Sequence, residues 1–219
     1  MEFFRYLMLV LFFLSTGIHL YASLKQDRKL RNLTKPFILL SLLGFYCLSA
    51  DPIVLTVVLA LVFSWLGDVL LMPKGVKWFT AGGIAFMVSH VFFILSYARQ
   101  VDLQKFHWAI AVLLILAFIA ASVIIFHFLR PHLPKPLFYP MLLYLIINGM
   151  MNCFAWFRSM SIGGKAGLIT AIGALLFFIS DSSLFFVRFH KGSRLKTHFL
   201  VMLTYSLGVF LIILGLIMG

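Results

Sequence analysis

The stretch WAIAVLLILAFIAASVIIF, residues 108–126, decides the fold class, because it runs for 19 residues without a charged side chain. A helix needs about 20 apolar residues to cross a hydrocarbon core of about 30 Å. The whole chain has the same character, with 63% hydrophobic residues, 11% charged residues and a mean hydropathy of +1.09. Such a chain cannot cover a compact globule with polar surface, so the sequence predicts an integral membrane protein.

Eight segments of this kind follow one another through residues 1–219, with only short connections between them. Period-2 alternation is absent, so we expect helices rather than a barrel. The sequence predicts an all-α polytopic membrane protein with eight transmembrane helices in a single domain. Only Asp51 and Pro52 separate the second and third segments, where we expect a tight hairpin with Pro52 opening the third helix and Asp51 capping it. The predicted spans are 3–24, 34–50, 52–72, 79–98, 106–129, 137–157, 166–189 and 198–218.

The formal charge of +12 and the isoelectric point near 10.1 raise the question of nucleic acid. A nucleic-acid-binding protein clusters its basic residues on one soluble face, whereas here they lie between hydrophobic segments. That placement suits the anionic headgroups of membrane lipids. We therefore expect membrane lipids as partners and no nucleic acid, and the sequence indicates no protein partner.

Basic residues are distributed unequally between alternate connections, which predicts the orientation. The connections after spans 1, 3, 5 and 7 hold Lys25, Arg28, Lys29, Arg31, Lys35, Lys74, Lys77, Arg130, Lys135, Arg188, Lys191, Arg194 and Lys196. The other side holds Arg5, Arg99, Lys105, Arg158 and Lys165. Cytoplasmic loops carry the excess of Lys and Arg, so we expect both termini outside and the basic loops in the cytoplasm, as in a bacterial inner membrane.

Only two of the six acidic residues, Asp68 and Asp181, lie inside predicted spans. A charge near the bilayer centre costs about 2.5–3.5 kcal/mol, so such residues usually face a partner or a wet cavity. Asp68 taken alone is equally well explained as a cap at a helix end near the interface. Asp181 lies deeper in span 7 and favours a functional role for both acids.

The sequences around the two acids resemble each other. WLGDVLLM (65–72) and FISDSSLF (178–185) each have a small residue before Asp and a Leu three residues after it. About half the chain separates them, which is the spacing that a tandem repeat of two four-helix halves would produce. Four crossings restore the orientation, so spans 3 and 7 are predicted to place both acids in the cytoplasmic half of the membrane.

Further polar residues lie within the spans. A lone His or Asn in a membrane helix is more often an interhelical contact than a catalyst. Taken together, these residues predict a polar pocket inside the bundle that opens toward the cytoplasmic leaflet. They are His19, His90, Tyr144, Asn148, Asn152 and Tyr205.

Two carboxylates in an apolar site favour one shared proton, because desolvation and mutual repulsion disfavour two charges. An acid and a base result, which is the pair that acid-catalysed hydrolysis needs. Zinc held by both acids with His19 and His90 is an alternative, but no HExxH spacing supports it, and we predict no metal and no cofactor. No G-x-S-x-G motif surrounds Ser180, so we give Ser180 a supporting role only.

The chain resembles the YhhN-like membrane proteins, which include the lysoplasmalogenases, over nearly its whole length. The two acidic motifs together carry most of the specificity of this resemblance. The matching features are TKP at 34–36, GDVLLM at 67–72, the stretch from Phe86 to His90, Tyr144 with Met151, GALLFFISDSSL at 173–184, and Tyr205.

The resemblance implies hydrolysis of the vinyl ether bond of a lysoplasmalogen to a fatty aldehyde and glycerophosphoethanolamine or glycerophosphocholine. One of Asp68 and Asp181 would be the acid and the other would stabilise the oxocarbenium ion or orient water, with the assignment open. Lys35 would pair with the phosphate of this lysophospholipid substrate or serve as a snorkelling anchor. The substrate would enter sideways from the inner leaflet. Supporting roles fall to His19, His90, Tyr144, Asn148, Ser180 and Tyr205.

Some features leave other interpretations open. The chain departs from the family pattern at Phe93, Phe185 and Val209, which leaves the headgroup and chain preference undecided.

A proton-coupled transporter of a small molecule or lipid would also use intramembrane carboxylates, but it usually has helices broken by Gly or Pro, for which AGGIAF at 81–86 is the candidate. A lipid-binding or scaffold protein would pair the two acids with basic residues or point them apart.

Overall fold

The computed structural model describes residues 2–189 and 198–219, and within these ranges the chain forms eight α-helices and no strand. Three 3-10 turns, Leu103–Lys105, Arg130–His132 and Lys135–Leu137, lie in the connections. The predicted all-α polytopic class is confirmed. The helices are α1 Glu2–Leu24, α2 Arg28–Ser49, α3 Leu55–Leu70, α4 Val76–Ala98, α5 Trp108–Leu129, α6 Phe138–Ile162, α7 Gly164–Phe189 and α8 His198–Ile217.

The third helix is shorter than the span predicted for it. Seven of the eight helices are long and apolar enough to cross a membrane, whereas α3 has 16 residues. At 1.5 Å per residue α3 is about 24 Å long. The predicted cap is wrong: α3 begins after Val54, and the backbone N–H of Val54 donates to the Tyr46 hydroxyl of α2 at 3.0 Å. Asp51 and Pro52 instead form the turn before α3.

The second helix begins six residues earlier than predicted. Asp27 caps it, because its Oδ1 accepts a hydrogen bond from the backbone N–H of Leu30 at 3.1 Å. Side-chain caps of this kind satisfy a free N–H in the first helical turn. As a result Arg28, Arg31 and Lys35 belong to α2 and not to the preceding connection.

Arg158, predicted to lie in a connection, also lies inside a helix. It is completely buried in α6, and its guanidinium donates hydrogen bonds to Gln100 Oε1, Thr170 Oγ1 and the carbonyl of Gly215. Three acceptors compensate the desolvation of the charge, which a hydropathy pattern does not register. The basic residues Lys191, Arg194 and Lys196, predicted to lie in the last loop, fall outside the described residues.

Close packing between α7 and α8 fixes the half of the bundle that carries the second acid. A Cβ added to Gly173 would lie 2.6 Å from the backbone nitrogen of Ile212, and one added to Gly208 would lie 2.9 Å from that of Phe177. Small residues allow helix backbones in membranes to approach this closely. By contrast α5 exposes much of its surface, including Leu113 and Val123 at 66% and 61%, as a lipid-facing helix does.

Candidate active site

Asp68 lies near the end of α3 and contacts two other helices. Its Oδ1 forms an ion pair with Nζ of Lys35 from α2 at 3.0 Å, and its Oδ2 accepts a hydrogen bond from the hydroxyl of Tyr205 from α8 at 2.9 Å. The Asp68 side chain is 4% exposed and that of Lys35 is 17% exposed. Asp68 is therefore a buried carboxylate with a full positive charge beside it, and not a solvated helix cap.

Asp181 lies in α7 and receives its hydrogen bonds from α6. Its Oδ2 accepts from the hydroxyl of Tyr144 at 2.5 Å and from Nδ2 of Asn148 at 2.9 Å. The Asn152 amide in turn donates to the side chain and carbonyl oxygens of Asn148. Neutral donors surround Asp181, and no Lys or Arg of the described residues forms an ion pair with it.

His90 of α4 is the one titratable base beside Asp181 in the described part of the chain. Its Nδ1 lies 2.6 Å from the carbonyl oxygen of Phe86, which can only accept, so Nδ1 carries a proton. Its Nε2 lies 3.5 Å from Asp181 Oδ2 and has no hydrogen-bond partner within the described residues. This nitrogen therefore faces the carboxylate with unused hydrogen-bonding capacity, at a distance that a small movement of either side chain would shorten to a hydrogen bond.

The partners of the two acids follow the same pattern. Asp68 of α3 contacts the preceding helix, α2, and the fourth helix of the other half, α8. Asp181 of α7 likewise contacts the preceding helix, α6, and the fourth helix of the other half, α4. Each acid thus contacts the last helix of the opposite half, α8 or α4, as expected for two related four-helix halves. The tandem repeat stays a prediction.

Both acids line one cavity of about 110 Å³, the inner pocket. Aromatic rings pack around it: Phe177 contacts Tyr205 and His90, with ring centroids 5.2 and 5.1 Å apart. A Cβ on Gly67 would lie 2.6 Å from the ring of Phe86, so Gly67 allows that ring to approach Asp68. The inner pocket is lined by Lys35, Asp68, Leu71, Phe79, Phe86, Ser180, Asp181, Leu184, Arg188, His198, Val201, Met202 and Tyr205.

Two further cavities adjoin the inner pocket. The basic vestibule, of about 230 Å³, shares Lys35, Leu71, Arg188, His198 and Met202 with it and is also lined by His19, Arg28, Arg31, Asn32, Met72, Pro73 and Lys74. The apolar groove, of about 30 Å³, shares Phe79 with the inner pocket and includes Tyr144 and Phe185. The acids thus lie between a cationic cavity and an apolar one.

Two predicted supporting residues have contacts of a different kind. His19 donates from Nδ1 to Thr34 Oγ1 at 3.0 Å, because that hydroxyl itself donates to the carbonyl of Leu30. His19 therefore lines the basic vestibule and is not beside the acids. The Ser180 hydroxyl donates to the carbonyl of Val201 at 2.8 Å, which connects α7 to α8.

The four residues of the zinc alternative do not converge. In the part of the chain that the structure describes, no three His, Cys, Asp or Glu side chains are grouped so that they could hold a metal ion. His90 lies beside Asp181, whereas His19 forms a hydrogen bond with Thr34, so the two histidines do not share one site.

Arg31 and Arg188 line a cavity, which their sequence positions had not indicated because basic residues between apolar segments report first on the orientation of the spans. A signal was present in α2, where Arg28, Arg31 and Lys35 follow at intervals of three and four residues. Residues at these intervals share one helix face. No comparable pattern marks Arg188.

The fold and the site define an integral membrane protein that holds two buried carboxylates in one cavity of a helical bundle. The model of the YhhN family matches residues 30–216, which is most of the chain. The chain belongs to the YhhN family, which includes lysoplasmalogenases, so the resemblance found in the sequence is confirmed. No curated protein and no solved structure matches the chain.

Proposed function

We propose that this protein is a membrane-embedded hydrolase that cleaves the vinyl ether bond of lysoplasmalogens to a fatty aldehyde and a glycerophospho-alcohol. One observation carries the proposal: Asp68 and Asp181 line the same pocket but have unlike partners. Acid-catalysed hydrolysis needs one group that holds a proton and one that stays charged. Membership of a family that includes lysoplasmalogenases agrees with this reaction.

The Asp181 and His90 pair supplies the proton. His90 Nε2 faces Asp181 Oδ2 at 3.5 Å, so the imidazole can pass a proton to this carboxyl, while Tyr144 and Asn148 hold the carboxyl in place. The proton adds to the vinyl carbon remote from the ether oxygen, which converts the vinyl ether to an oxocarbenium ion.

Asp68 stabilises that cation. Its ion pair with Lys35 favours the charged form of the carboxylate, and the hydroxyl of Tyr205 fixes the second oxygen. Water then adds to the oxocarbenium carbon and releases one proton, which returns to the acid pair. The hemiacetal collapses by moving its hydroxyl proton to the glycerol oxygen, so one water is consumed for each aldehyde formed.

The cavities match an amphiphile with a single chain. The inner pocket holds the acids and the basic vestibule suits an anionic headgroup, while the apolar groove, of about 30 Å³, has room for only the start of a hydrocarbon tail, the rest of which would lie in lipid. Phe79, whose ring centroid lies 6.2 Å from that of Phe185, lines both the groove and the inner pocket. The excess of basic residues at the vestibule end supports a cytoplasmic location for this end, with both termini outside, in a membrane such as the bacterial inner membrane.

The transporter alternative receives less support from the helices. α4 is continuous from Val76 to Ala98 through Gly82 and Gly83, so the stretch AGGIAF does not break it. The scaffold alternative predicts that the acids point apart or pair with basic residues, whereas both acids line one pocket and, among the described residues, only Asp68 pairs with a Lys or Arg.

The test uses the full chain purified in detergent. It is incubated with a lysoplasmalogen and with the ester lysophospholipid of the same chain length, and aldehyde and fatty acid are measured. We expect aldehyde from the vinyl ether substrate only, and a loss of about 10²–10⁴-fold for Asp181→Asn and for Asp68→Asn. Asp51→Asn, a change in an exposed acid of the turn before α3, is the matched control. Unchanged aldehyde release in both site variants would refute the proposal.

A further inference from the structure

We propose that the basic vestibule is a phosphate-binding site in which Arg31 and Arg188, and not Lys35, are the principal ligands. This inference rests on the proposed function, because the lysophospholipid substrate carries such a phosphate, and it names the part of the site that holds it. It also changes the role of Lys35 that the resemblance implies.

The vestibule holds positive charge that no acid neutralises. Arg28, Arg31, Lys74 and Arg188 line it, and none of them lies within 4.0 Å of a carboxylate in the described residues. Asp27 interacts electrostatically with Arg31 but forms no ion pair with it. Cations gathered around one cavity repel one another, so an anion bound among them is favoured.

The guanidinium of Arg31 has a free donor. Its Nε is buried and has no hydrogen-bond partner among the described residues, although Arg31 lines the vestibule. A buried donor without an acceptor is costly, and a phosphate oxygen would satisfy it. The planar fork of an arginine matches two oxygens of a phosphate.

Lys35 is engaged elsewhere. Its ammonium lies 3.0 Å from Asp68 Oδ1, so a phosphate that captured Lys35 would leave a buried carboxylate without its counter-charge. Removing one partner of a buried ion pair is strongly destabilising. The phosphate is therefore assigned to the arginines, and Lys35 remains with Asp68.

Arg188 connects the phosphate to the reaction. It lines both the vestibule and the inner pocket, and its guanidinium lies 5.6 Å from the ring centre of Phe79. The stacking helps to orient the charge. In a lysoplasmalogen one glycerol unit separates the phosphate from the vinyl ether. The vestibule, which is lined by the two arginines, adjoins the inner pocket, which is lined by the two acids. A phosphate in the vestibule would therefore place the vinyl ether on the side of the acids.

The first experiment compares two substrates of the purified full chain. One is the lysoplasmalogen, and the other is the alkenylglycerol with the same vinyl ether and chain but no phosphate. We expect Arg31→Gln and Arg188→Gln to raise KM for the lysoplasmalogen about tenfold and to leave KM for the alkenylglycerol unchanged. Lys77→Gln removes an exposed charge outside the vestibule and is the matched control. An equal change in KM for both substrates, or no change, would overturn the proposal.

The second experiment does not depend on turnover, so it separates this proposal from the proposed function. Glycerophosphoethanolamine and inorganic phosphate are titrated separately into the purified protein while its thermal unfolding is followed. We expect glycerophosphoethanolamine to raise the unfolding temperature of the wild type and of Lys77→Gln, and to have little effect on Arg31→Gln and Arg188→Gln. Stronger binding of inorganic phosphate would identify free phosphate as the ligand of this site. No shift with either compound, or a shift that both arginine variants retain, would overturn the proposal even if aldehyde is released.

Discussion

Asp68 and Asp181 differ in what surrounds them more than in how deeply they are buried. Both are at most 5% exposed, yet Asp68 faces an ammonium and Asp181 faces neutral donors and an imidazole nitrogen. In a medium of low dielectric such neighbours decide which carboxylate holds a proton. The proposed roles, with Asp181 as the acid and Asp68 as the group that stabilises the cation, therefore depend on single contacts that substitutions can remove.

The tyrosine hydroxyls bonded to the acids provide one test. Tyr144→Phe and Tyr205→Phe each remove a hydrogen bond to a carboxylate while keeping the ring, so we expect each to destabilise the protein by about 1.5–3 kcal/mol and to slow aldehyde release. The measurements are thermal unfolding and initial rate. Tyr97→Phe is the control, because its buried hydroxyl has no hydrogen-bond partner within the described residues. Equal effects at all three positions would contradict this account.

Lys35 provides a second test at this scale. Lys35→Met leaves Asp68 without its counter-charge, so we expect a loss of kcat of at least about tenfold on both the lysoplasmalogen and the phosphate-free alkenylglycerol. Lys35→Arg should retain more activity than Lys35→Met, because it keeps the charge. Lys29→Met, which removes an exposed charge on the same helix, is the control. A loss confined to the phosphate-bearing substrate would show that Lys35 binds phosphate instead.

At the residue scale the sequence identified the two acids and the polar residues around them, but not which of these residues contacts which acid. A carboxylate inside an apolar segment is conspicuous because its burial is costly, which is why Asp68 and Asp181 could be selected without a structure. The contacts from Tyr205 and Lys35 to Asp68 join residues on different helices. Such contacts depend on helix packing, and a hydropathy pattern contains no information about it.

At the scale of the helix, the predicted boundaries were most accurate where the apolar segment ended at a turn. The boundary of α2 was missed because a cap at Asp27 and several arginines continue the helix beyond its apolar part. The end of α6 was missed because Arg158 is buried among three acceptors. Charged residues interrupt a hydropathy pattern without interrupting a helix.

The contact between α7 and α8 leads to a prediction about an element. Gly173→Ala would place a methyl group 2.6 Å from the backbone nitrogen of Ile212, so the helices must separate. Tyr205 lies on α8 and would move with it relative to Asp68. We expect a loss of stability of about 1–3 kcal/mol and a slower release of aldehyde.

Gly17→Ala serves as the control for this change, because a Cβ at Gly17 has no neighbour within 4 Å. The readouts are thermal unfolding and the initial rate of aldehyde release. If Gly173→Ala and Gly17→Ala are equally stable and equally active, the close packing of α7 and α8 does not position Tyr205.

At the scale of the whole molecule, the orientation follows from loop charge and is open to labelling. We expect Lys105→Cys to react with a membrane-impermeant thiol reagent added to intact cells, and Lys77→Cys to react only after the cells are permeabilised, because basic connections stay in the cytoplasm. Both lysines are exposed. The unsubstituted chain, with its free Cys47 and Cys153, is the background control. The reverse pattern of labelling would place the vestibule outside.

The proposed mechanism requires that the bundle protonate a vinyl ether carbon and add water to the resulting cation. The most direct measurement is mass spectrometry of the aldehyde released from a lysoplasmalogen by the purified full chain in D₂O. We expect one deuterium on the carbon next to the aldehyde carbonyl, because the proton that adds there comes from solvent, and loss of this product in Asp181→Asn and Asp68→Asn. Aldehyde without that deuterium, or no aldehyde at all, would contradict this mechanism.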